Sequence, residues 1–92
     1  MGLSLGERVR SSVAALMHAT GESQADLAVA LGVSQAQVSR RQSGSAQWSL
    51  ADCDVLAAHF GIDVLDLLAG PTRAYECLPA RRRRDDRGRA AR

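Results

Sequence analysis

Two short helical patterns, Gln24–Leu31 and Gln35–Gln42, are separated by Gly32-Val33-Ser34 and closed by Ser43-Gly44-Ser45. No other stretch constrains the fold so tightly. Ser23 and Ser34 each stand where a hydroxyl can accept from the free N–H groups of a helix start. Gly32 stands where the first helix must end in a tight turn, which favours a residue that tolerates positive φ. Leu27, Ala28 and Leu31 share the inner face of the first pattern. Helices joined by so short a turn can pack only at a steep angle. That geometry calls for a small residue at the closest approach (Ala28), a glycine at the turn and an apolar residue, Val38, holding the second helix down. The second helix is then held off the body with its outer face free to enter a groove.

The flanking sequence supplies the body. Leu5, Val9, Val13, Leu16 and Met17 recur on one helical face, so Leu5–Thr20 reads as a first helix whose stripe is core, ending at Gly21. Ser49 opens a fourth helix, with Asp52 able to return a hydrogen bond to the cap. Its inner stripe is Leu50, Cys53, Leu56, Ala57 and Phe60, and Gly61 stops it. Asp63 caps a short fifth helix with Val64, Leu67 and Leu68 facing inward, and Gly70-Pro71 closes the domain. The chain has one Phe, one Tyr and one Trp, so aliphatic side chains must fill the core. With no β-branched runs or hairpin signals, the expected fold class is all-α, with five helices in residues 1–70 and an Arg-rich tail over 71–92.

Charge limits the function. All twelve basic residues are arginine, and the net charge is +2. Residues 1–70 carry four arginines against seven acids, a net of −3, while residues 71–92 carry eight arginines against three acids, a net of +5. The body therefore lacks the general basic footprint of a polyanion binder. Phosphate attraction must come from Arg40–Arg41 or from the tail. The low-complexity run Ala80–Arg92 reads as a solvated basic segment, with ordered docking of Arg73–Leu78 the sharper alternative.

Other chemistries find little support. Cys53 lies in an apolar helical pattern and Cys77 in the tail, and His18 and His59 have no Cys or His partner at ligand spacing, so no metal or other cofactor is expected. No acids pair in a recognisable pocket, which argues against an enzyme. No apolar run reaches membrane-spanning length and no signal peptide is visible, so a cytoplasmic protein without membrane contact or small-molecule ligand is expected.

The outer face of the third helix is populated for hydrogen bonding by Ser34, Gln35, Gln37, Ser39, Arg40 and Arg41. Gln pairs bidentately with adenine and Arg with guanine, each good pair worth roughly 1–3 kcal/mol of base discrimination. Residues Gln24–Gly44, above all Leu31-Gly32-Val33-Ser34 followed by Val38-Ser39-Arg40 and Gly44, resemble the λ-repressor/Cro-like, Xre-type helix-turn-helix family. The likeness runs from about Leu5 to Leu68. Ser39-Arg40-Arg41 followed by a Gly and a Trp resembles members from actinobacteria and their phages.

The resemblance implies roles at matching positions. Gln24 would contact a phosphate and brace Gln35, Gln35 would read an adenine, and Ala36 would lie against a base edge or thymine methyl. Arg40 would reach a base or phosphate, and the loop Ser43–Gln47, including Ser45, would offer backbone N–H groups to the second phosphate strand. The family usually has a buried apolar residue where this chain has Arg41. Either Arg41 reaches out to a phosphate over its own stem, or the helix is slightly rotated; Trp48 would fill the gap or lie wet beside the DNA. The function implied is a sequence-specific regulator on double-stranded DNA, a phage-type repressor or Cro-like protein, acting as a homodimer that forms alone or only on DNA. The net-acidic body supports an alternative, a protein-interaction module such as an antitoxin or host-factor binder on the same fold.

Overall fold

Four serines set the helix starts. Ser4, Ser23, Ser34 and Ser49 each accept, through Oγ, the N–H of the residue three positions on, at 3.2, 3.1, 3.1 and 2.9 Å. Those residues, Glu7, Asp26, Gln37 and Asp52, return an oxygen to the serine N–H at 2.9–3.0 Å. Each box satisfies two N–H groups that a helix start leaves unpaired, and the serine of such a cap is worth about 1 kcal/mol. The helices they open are α1 (Leu5–Thr20), α2 (Gln24–Leu31), α3 (Gln35–Ser43) and α4 (Leu50–Phe60). Each ends at a glycine in the left-handed region, Gly21, Gly32, Gly44 and Gly61.

The computed structural model describes residues 3–84, and every regular element among them is helical. Asp63 caps α5 (Val64–Leu68) through a 2.8 Å bond from Leu65 N–H. The expected count of five helices is one short. Pro71–Cys77 forms α6, and Ala80–Arg82 adds a turn of 3-10 helix. Gly70-Pro71 was expected to close the domain, but proline with its fixed φ is also the preferred first residue of a helix. Ala74 and Leu78, four residues apart, enter the core beside α1. The basic segment thus continues the body through Arg84; residues 85–92 of the expected tail lie outside the described residues.

One core holds the helices together. It unites Val9, Val13 and Leu16 of α1 with Leu27, Val38, Cys53, Leu56, Phe60 and Leu67 from α2 to α5. The buried Ser12 hydroxyl donates to the Leu67 carbonyl at 2.8 Å and joins α1 to the end of α5. Two residues of the expected stripes are not in this core. Leu5 is 53% exposed and Leu50 is 74% exposed. Each is the first residue of its helix.

Candidate nucleic-acid interface

α3 is held from one side. α2 and α3 meet across the Gly32 turn, where Gly32 has φ +72°. The Val33 N–H reaches back to the Ala28 carbonyl at 3.0 Å, which satisfies a carbonyl at the end of α2. A Cβ at Gly32 would meet nothing within 4 Å, so the glycine is there for its backbone angle alone. Val38 is fully buried and anchors α3 as expected.

At 100° per residue, Gln35, Ala36, Ser39, Arg40 and Ser43 fall within an arc of roughly 140°. All five are exposed. Gln37, Val38, Arg41 and Gln42 occupy the rest of the circumference and are buried or half-buried. The helix therefore presents one polar face with a small residue, Ala36, beside its first glutamine.

This arc separates the two adjacent arginines. Arg40 lies on the exposed face. Arg41 points into the body, with Nε 3.5 Å from Asp52 Oδ2 and its guanidinium carbon 5.7 Å from the centroid of the Trp48 ring. The same Asp52 oxygen caps α4. The place that the resemblance implied for an apolar side chain is thus taken by a cation between a carboxylate and an indole. Trp48 packs against the core edge, and its Nε1 donates to Gln42 Oε1 at 2.8 Å. Gln42 Nε2 donates in turn to the Arg10 carbonyl at 3.1 Å, which ties the loop after α3 to α1.

The other expected contact residues divide in the same way. Gln37 spends its carbonyl oxygen on the cap at Ser34, whose hydroxyl accepts the Gln37 N–H. Gln24 is half-buried at the first position of α2. Ser43, Ser45 and Gln47 are exposed. In the Ser43–Gln47 loop, however, two of the N–H groups expected to face phosphate are engaged within the chain. Ala46 N–H donates to the Arg40 carbonyl at 3.1 Å and Ser45 N–H donates to Ser43 Oγ at 3.4 Å.

One cation at this end was not foreseen. The Arg10 guanidinium of α1 lies against Gly44, its carbon only 3.3 Å from where a Cβ would stand. Arg10 follows Val9 on a helix whose sequence pattern speaks only of core. Its one sequence cue is a charge outside the apolar stripe.

Among the described residues no group of three or more His, Cys, Asp or Glu is arranged to hold a metal ion. No described helix is long and apolar enough to cross a membrane. In comparison with known families, the family model described as the BetR domain matches residues 3–88. No curated protein and no solved structure matches the chain.

Proposed function

The chain belongs to the BetR domain family, a helix-turn-helix-like DNA-binding family, and we propose that it is a sequence-specific regulator of transcription, of phage-repressor or Cro-like type, that lays α3 in the major groove. The observation that carries this reading is the exposed arc Gln35, Ala36, Ser39, Arg40 and Ser43 on a helix whose opposite side is anchored by Val38. A helix placed so offers its side chains to base edges, with glutamine suited to adenine and arginine to guanine. In this reading Gln35 and Arg40 carry specificity, while Gln24 and the Ser34 end of α3 approach phosphate. The protein acts by occupying DNA in the cytoplasm and not as a catalyst.

A single short helix buries little DNA surface, which supports a homodimer on half-sites about one helical turn apart. Leu50 and Val55 of α4 and Leu65 of α5 are exposed apolar side chains open to such a contact. Selection of binding sites from a random duplex pool tests the reading. Enrichment of a defined site, with symmetry if two copies bind, is the expected outcome. A pool that stays random at low salt would overturn it.

A further inference from the structure

The described arginines are unequally engaged. Arg41 faces Asp52, Arg73 Nε meets Asp66 Oδ1 at 3.0 Å and Arg82 Nη2 meets Glu22 Oε2 at 3.2 Å. Arg83 Nη2 donates to the Tyr75 and Glu76 carbonyls at 3.1 and 3.2 Å, and Arg8 Nη2 to the Leu3 carbonyl at 3.4 Å. Of the arginines expected to attract phosphate, Arg41, Arg73, Arg82 and Arg83 are thus engaged by the fold. Arg84 lies along Gly21 at the far end of α1.

Neither the Arg10 nor the Arg40 guanidinium has an ion-pair or hydrogen-bond partner among the described residues, as is also true of Arg81 and Arg84, but only Arg10 and Arg40 of these four flank the end of α3. Arg40 is one turn before Gly44, and the Arg10 guanidinium packs on Gly44 itself. The nearby carboxylate, Glu7, accepts the Ser4 N–H at 2.9 Å and feels the Arg10 charge, but forms no ion pair with it. Gln42 fixes the Arg10 backbone from α3. Gly44 has φ +91°, and a side chain there would crowd the guanidinium.

We propose that Arg10 is a DNA-backbone ligand, binding a phosphate at the C-terminal end of α3 where two N–H groups of the adjoining loop are already engaged within the chain. The inference rests on the DNA-binding reading above and adds to it a residue from outside the helix-turn-helix. A guanidinium placed there presents donors in a planar fork suited to a phosphate. It adds affinity without reading sequence, because phosphates are the same at every base pair.

The test titrates a duplex enriched by selection, and a scrambled one, with the whole chain across a salt series. Arg10→Ala and Arg10→Met should each flatten the slope of log K against log salt by about one. The ratio of selected to scrambled affinity should stay as in the unsubstituted chain, and Arg10→Lys should keep the full slope. Methionine retains an aliphatic stem over Gly44, so a folded, uncharged variant (checked by circular dichroism) is available if alanine disturbs the packing. An unchanged slope in folded Arg10→Met would overturn the proposal while leaving the DNA-binding reading intact. An unsubstituted chain that binds neither duplex would overturn both.

Discussion

Arg82 Nη2 donates to Glu22 Oε2 at 3.2 Å, closing a span of 60 residues. The same nitrogen donates to the His59 carbonyl at 3.0 Å, and the His59 ring meets the other oxygen of Glu22. Glu22 stands two residues before Gln24, so this part-buried clasp holds the start of α2 from the C-terminal segment and from α4. Arg82→Ala should cost about 1–3 kcal/mol in urea unfolding, as expected for a hydrogen bond to a charged partner. Glu22→Gln should be strongly non-additive with it in a double-mutant cycle. Additive effects would mean that the pair is not coupled.

The packing of α6 gives a second expectation. Leu78 is 2% exposed, whereas Leu65 is 70% exposed. Leu78→Ala should destabilise the fold by about 2–5 kcal/mol, while Leu65→Ala should change it by no more than about 0.5 kcal/mol. Equal, small effects would detach the segment after Pro71 from the core.

This segment also marks where the sequence was hardest to read. Caps and glycine stops are local signals; with the apolar stripe of α1 they located the first four helices to within a residue of their observed bounds, and Asp63 marked the start of α5. Gly70-Pro71 is locally ambiguous, since proline ends one helix and begins another with equal ease. Ala74 and Leu78 repeat at helical spacing, but they sit among charges that suggested a solvated chain. Of the polar face read for α3, Gln35, Ser39 and Arg40 fall on the exposed arc, whereas Gln37 turns to its cap at Ser34. The division between Arg40 and Arg41 was not, because it depends on Asp52 and Trp48, which only tertiary packing brings beside α3. Arg10 was missed for a related reason: its place at Gly44 is set by the packing of α1 on α3.

The α2–α3 turn can be tested through backbone angle alone. Gly32→Ala forces a side-chain-bearing residue into the left-handed region and should cost about 1–2 kcal/mol. Gly32→Asn should cost less, because asparagine tolerates that region and open space surrounds the site. Thermal or urea unfolding of both variants checks the order; an alanine variant as stable as the native chain would contradict the assigned turn.

The capping boxes should make stability depend on acid. The Ser4 N–H and hydroxyl hold the Glu7 carboxyl below its ordinary range, and the Ser23 N–H and hydroxyl do the same for Asp26. A carboxyl depressed in the folded state stabilises fully above its unfolded pKa, and that contribution is lost as pH falls through the folded value. Unfolding measured from neutral pH downward should therefore weaken below the ordinary carboxylate range. Glu7→Gln with Asp26→Asn should flatten that fall, and an identical pH profile would exclude the boxes as its source.

The central claim is that the exposed arc of α3 reads base sequence. Its most direct measurement is the affinity ratio for a selected against a scrambled duplex in Gln35→Ala, at one fixed salt concentration. The expected result is a ratio reduced by roughly 1–3 kcal/mol, with scrambled-duplex affinity nearly unchanged. A ratio equal to that of the unsubstituted chain, in a folded variant that still binds DNA, would contradict the claim.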